Sequence, residues 1–148
     1  RVRQGIALWR GALLYDEWDA TVVSDSTTAD VIIRTIQPPP QTIPVRIGGR
    51  VLSCEGATDV DTAATRFELL VPVRAYVFPT IPNAADLESC LRTVTAHEIG
   101  HTLGIFRHSS DSLDLMFQTP TATGLTERDI GTINNAYHFQ ADMVPVRP

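Results

Sequence analysis

Residues 97–117 read His97-Glu98-Ile99-Gly100-His101-Thr102-Leu103-Gly104-Ile105-Phe106-Arg107-His108-Ser109-Ser110-Asp111-Ser112-Leu113-Asp114-Leu115-Met116-Phe117. The first five residues are H-E-x-x-H. From Asp86 onward the apolar positions Leu87, Leu91, Val94, Ile99 and Leu103 recur at helical intervals, and Pro82-Asn83 punctuate the chain just before them. A helix over this stretch sets His97 and His101 one turn apart on one face. Both rings then reach a single ion at about 2.0–2.1 Å, a distance that suits zinc. Glu98 stands one step round the helix, beside the ion, where it can take a proton from a water that the metal has made acidic.

The next residues extend the pattern. Gly104 suits a sharp helix stop, because glycine accepts left-handed geometry without a Cβ clash. Beyond that turn the chain doubles back, and His108 approaches the same ion. Three neutral imidazoles leave one position for water, which is the arrangement of a catalytic rather than a structural zinc. Met116 has two readings. It is an ordinary core residue, or it floors the metal site.

Near the start of the chain, Val2, Ile6, Trp9 and Leu13 trace one face of an N-terminal helix, with Ala7 and Leu14 widening it and Asp16 to Asp19 as its exit. Ala20 to Val23 reads as a short strand, Ser24 to Thr28 as a polar turn, and Val31-Ile32-Ile33 as a buried strand. Pro38-Pro39-Pro40 stops regular structure. Val45 to Leu52, around Gly48-Gly49, reads as a hairpin or bulged strand. Glu55 to Ala64 reads as a loop, and Phe67 to Phe78 as strand-rich with a break at Pro72. Thr126, with Asp129 three residues on, starts a last helix whose apolar face is Ile130, Ile133 and Tyr137. His138 beside Phe139 reads as a satisfied or solvated side chain, and residues 141–148 read as a tail.

The whole chain has 148 residues, the size of one domain, with 43% hydrophobic and 20% charged residues. A formal charge of −5 gives no electrostatic support to a nucleic-acid partner. No apolar run is long enough to span a membrane. All twelve basic residues are arginine. The lack of lysine excludes P-loop phosphate binding, Schiff-base chemistry and Ser–Lys dyads. The two cysteines, Cys54 and Cys90, lack the spacing of a thiolate zinc site. They are either buried thiols or one disulfide of a secreted protein.

The stretch 97–117 resembles the zinc-binding region of metzincin metallopeptidases, and is most similar to the matrixin branch. Ser109 after the third histidine resembles that branch's His-Ser continuation. Residues 124–137, GLTERDIGTINNAY, resemble its C-terminal helix, with Asp129 in the place of an acidic residue that bonds the methionine turn. The early helix with Trp9, followed by Ala29 to Ile33, resembles the family's N-terminal half more loosely. The resemblance is strong over residues 86–138.

Several positions depart from the family's pattern. The third histidine normally stands three residues after the glycine, where this chain has Arg107, which is always charged and cannot ligate. Either the turn after Gly104 holds one extra residue and His108 is the third ligand, or Asp111 or Asp114 serves instead. Matrixins also carry a structural zinc bound by histidines ahead of the active helix, and this chain has none before His97. A loop with Asp59 and Asp61 is thin support for calcium. The Pro-x-Tyr wall after the methionine turn is missing, with Pro120-Thr121-Ala122 in its neighbourhood, and there is no cysteine switch.

The resemblance implies an α+β, zincin-like catalytic domain over residues 1–140, followed by a tail at 141–148. It implies a twisted, mostly parallel sheet of four or five strands, a backing helix, an active-site helix and a small C-terminal subdomain ending in a helix. The family's first strand would precede residue 1. The implied protein is a monomeric, secreted zinc endopeptidase acting on extended polypeptides. It has one catalytic zinc on His97, His101 and His108, Glu98 as general base, and Gly104, Met116 and Asp129 in support. Two alternatives are a catalytically silent zinc-binding or adhesion domain, which has no need of Glu98, and an intracellular processing peptidase with free cysteines.

Overall fold

The computed structural model describes residues 1–35, 54–60, 67–79 and 84–147. Helix α1 spans Val2–Arg10, and the expected face is the buried one: Ile6, Trp9 and, just past the helix end, Leu13 lie in the core. Trp9 is fully buried, and its indole Nε1 donates to the Ala96 carbonyl at 2.7 Å, so its one polar group has a partner. The helix stops earlier than the acidic exit at Asp16 to Asp19. Arg10 then holds the returning chain through Asp19 and the Ala20 carbonyl. The strand expected at Ala20 to Val23 does not form, and Val22 and Val23 are exposed. They are β-branched, but among the described residues they have no strand to pair with. The polar turn does form: Thr27 N donates to Asp25 Oδ1 at 2.9 Å.

A three-stranded sheet follows. Strand β1 (Val31–Arg34) runs parallel to β4 (Val73–Pro79), and β2 (Cys54–Asp59) runs antiparallel to the other side of β4. The order is β1-β4-β2. Val73, Ala75, Tyr76 and Val77 of the central strand are buried, while Arg74 is exposed. Among the described residues this sheet is smaller and more mixed than the four or five mostly parallel strands expected. The expected hairpin at Val45 to Leu52 and the Pro38–Pro40 break lie outside those residues. So does Asp61, while Asp59 closes β2. Of the stretch expected as a loop from Glu55 to Ala64, the described part is strand through Asp59.

Helix α2 (Ala84–Thr102) lies between the sheet and α1. Residues Thr93 to Gly100 are buried without a break, because both sides of the helix are covered. Cys90, buried on α2, is disulfide-bonded, so the free-thiol reading does not hold. Helix α3 (Glu127–His138) starts as the sequence predicts. Thr126 accepts from Asp129 N, and the Asp129 side chain accepts from Thr126 N, forming a capping box. His138 is satisfied by Glu17, with Nε2 2.6 Å from Oε1.

The segment expected as a tail is not loose. Residues Val144–Val146 form β5, which pairs in parallel with β3 (Glu68–Leu70). Val71 N donates to the Val146 carbonyl at 3.0 Å, and Arg147 reaches Asp30 at 2.6 Å. The last described residues thus return from the end of α3 to the sheet side of the molecule. Removing residues 143–148 is expected to lower the melting temperature by about 5 °C, followed by circular dichroism, while leaving helix content unchanged. An unaltered melting temperature would make β5 an ornament of the fold.

Candidate metal centre

His97 and His101 project from the C-terminal half of α2 and are buried. Gly104 then takes φ +99°, a left-handed conformation that closes the helix and reverses the chain. Among the described residues nothing lies within 4 Å of a Cβ built on Gly104, so there the backbone angle calls for glycine. The reversal brings His108 back: its Nε2 is 3.3 Å from His101 Nε2, which is itself 3.0 Å from His97 Nε2. The His97 and His108 rings stack, with centroids 5.3 Å apart. The one-residue offset at Arg107 is therefore absorbed in the Ile105-Phe106-Arg107 turn. Asp111 and Asp114 point elsewhere: Asp111 pairs with Arg128, and buried Asp114 accepts from Ser109 and Thr126. Those two hydrogen bonds and nearby Arg128 hold the Asp114 carboxyl below its usual range.

The proton positions on two of the rings follow from their partners. His97 Nδ1 is 2.7 Å from the Leu115 carbonyl oxygen, and His101 Nδ1 is 2.6 Å from that of Ile105. A carbonyl oxygen only accepts, so each Nδ1 carries the hydrogen and each Nε2 presents a lone pair. Two lone pairs then face one another at 3.0 Å with no proton between them. Protonation is a poor remedy. Burial pushes the His97 imidazole down to about 4, and burial also lowers His101 and His108. A cation shared among the three nitrogens resolves the conflict. These ligand atoms lie within 4.8 Å of one another, and among the described residues they form the one such cluster of three or more. An all-nitrogen, neutral donor set suits a zinc ion.

The support beneath the cluster comes from α3. The Asp129 carboxylate accepts from Leu115 N at 2.9 Å, Met116 N at 3.2 Å and Thr126 N at 2.9 Å. It thereby holds the turn whose Leu115 carbonyl orients His97. Met116 is buried under the helix, and Gly100 makes the room. A Cβ at Gly100 would stand 2.5 Å from Met116 Sδ and 2.6 Å from Trp9 Cζ2. Met116 therefore packs against α2 at Gly100, one residue before His101, as a core residue does.

Glu98 is 2% exposed, and burial pushes its carboxyl up to about 7 against the lowering effect of a hydrogen bond from Thr58. Thr58 and Gly56 on β2 both meet this carboxylate and were not legible in advance. They stand forty residues away in a stretch read as loop. Recognising β2 as a strand would have placed them together on one face of it. A pocket of about 510 Å³ opens beside His108, lined by Arg107, Ser110, Arg128 and Thr132 among others.

The sequence matches the family described as Matrixin over residues 16–138, well over half of the chain. Comparison with curated proteins and with solved structures finds no match.

Replacing Asp129 with Ala leaves two buried amides without their acceptor. The expected result is a fall of about 8 °C in the melting temperature of the metal-free protein. Zinc affinity by calorimetric titration should weaken about tenfold or more. Unchanged affinity would uncouple the Leu115–Met116 turn from the histidines.

Proposed function

The chain belongs to the matrixin family, and on that premise we propose that it is a zinc metalloendopeptidase that hydrolyses peptide bonds of extended polypeptides. The observation that best supports this reading is the convergence of three imidazole Nε2 atoms, from His97, His101 and His108, beside the buried Glu98. His97, His101 and His108 would hold the ion. When bound, zinc supplies Lewis acidity, polarising a carbonyl oxygen and making water acidic enough to react near neutral pH. The three imidazoles add no negative charge, so they preserve that acidity.

Glu98 takes the proton of the attacking water on its carboxylate and passes it to the leaving amine nitrogen as the peptide bond breaks. The peptide lies extended along β2, which has β4 on one side and is an edge among the described strands. Backbone groups of that edge hold it in register, as strand addition provides. The backbone carbonyls of Leu115 and Ile105 hold the His97 and His101 rings with Nε2 turned toward where an ion would sit. Asp129, Met116 and Gly104 support the geometry without touching substrate.

We place the protein outside the cell. The family is typically secreted, a disulfide at Cys90 suits an oxidising compartment, and among the described residues no helix is long and apolar enough to cross a membrane. The chain's surplus of acidic residues offers nothing to a nucleic acid.

Metal content and peptide cleavage measured together test this reading. The protein and Glu98→Ala are each expected to bind one zinc per chain. Cleavage should fall about 10²- to 10⁴-fold in the variant alone. His108→Ala should weaken zinc binding, whereas Asp111→Ala should leave it unchanged. A protein that takes up no zinc, or a Glu98→Ala variant that cleaves normally, would overturn the proposal.

A further inference from the structure

Glu98 is held by more than its own helix. Its carboxylate turns toward β2 and meets two residues spaced two apart, which share one face of that strand. Gly56 supplies the room. A Cβ there would collide with Glu98 Oε1 and stand 2.7 Å from the carboxyl carbon. Thr58 supplies the anchor, its Oγ1 donating to Glu98 Oε2 at 2.6 Å. Among the described residues this is the one hydrogen bond to that carboxylate, and Glu98 is almost completely withdrawn from water. A buried carboxylate with a single donor depends on that donor for its orientation.

We infer that Thr58 is the positioning residue for Glu98, fixing Oε2 to the sheet and leaving Oε1, over Gly56, as the oxygen that takes and returns the proton. This rests on the reading of Glu98 as the general base. An oxygen already accepting a strong hydrogen bond is the weaker base of the two, so the anchored and the working oxygen are distinct. The strand that carries Thr58 is also the one along which the peptide is proposed to lie. A single element then sets both the register of the scissile bond and the aim of the base. Sub-ångström placement of this kind governs turnover more than binding.

The test compares the parent protein with Thr58→Val, which keeps the shape and removes the donor, and Thr58→Ser, which keeps the donor. All three should carry one zinc per chain. For Thr58→Val, kcat on a peptide substrate should fall about tenfold, with KM changed by less than about twofold. Thr58→Ser should return kcat to within about threefold of the parent. A readout independent of activity comes from melting the metal-free protein. Thr58→Val should lower the melting temperature by about 3 °C when Glu98 is present and have no effect in a Glu98→Ala background. A cleaving parent with unchanged kcat in Thr58→Val would sink this inference alone. So would a serine variant no better than valine, or melting effects that simply add. A parent that binds zinc and cleaves nothing would sink the peptidase reading and this inference with it.

Discussion

The hydrogen bond from His97 Nδ1 to the Leu115 carbonyl is the interaction on which the site depends. It fixes the tautomer, turns Nε2 toward the other two rings, and ties α2 to a turn eighteen residues further on. That turn is in turn held by Asp129, whose carboxylate takes the amides of Leu115 and Met116. Asp129 is itself placed by the capping box that starts α3. A helix start, a turn and a ring orientation thus form one chain of hydrogen bonds. The bonds to Leu115 and Met116 are buried, where a missing partner costs about 1–3 kcal/mol.

Packing enforces the same arrangement from below. Trp9 of α1 and Met116 both occupy the space beside Gly100. Trp9 also donates to the Ala96 carbonyl, one residue before His97. The core cluster of Ile6, Trp9, Ile99, Leu103, Leu115 and Met116 is therefore the floor of the histidine cluster as well. Leu115 and Ile105 belong to this core and also supply the backbone carbonyls that orient His97 and His101. A rigid floor is what a set of three ligands with little freedom requires.

Much of this was legible in the residues themselves. The H-E-x-x-H spacing, the glycine stop and the Thr126–Asp129 cap are local signals, each decided within a few residues, and the structure realises all three. The face of α1 follows from its apolar period in the same way. What was not legible depends on partners far along the chain. The stretch from Glu55 has a glycine and few apolar side chains, so nothing local marks it as strand. It becomes β2 because β4 offers a ladder. Thr58 and Gly56 gain meaning only once that ladder sets them against Glu98. Residues 144–146, with Pro145 between two valines, look like a tail until β3 pairs with them. The reverse error occurs at Val22-Val23, where β-branched residues suggest a strand that no described neighbour completes. The offset of His108 was a matter of loop length, which short-range rules leave open; the turn after Gly104 brings its Nε2 to 3.3 Å from His101 Nε2.

X-ray absorption at the zinc edge of the loaded protein tests the central claim most directly, because it counts the ligands. The account predicts a first shell of nitrogen and oxygen at about 2.0–2.1 Å, with outer-shell scattering from three imidazole rings and no sulfur. Two imidazoles, or a sulfur at about 2.3 Å, would contradict the assignment of His97, His101 and His108 to one ion.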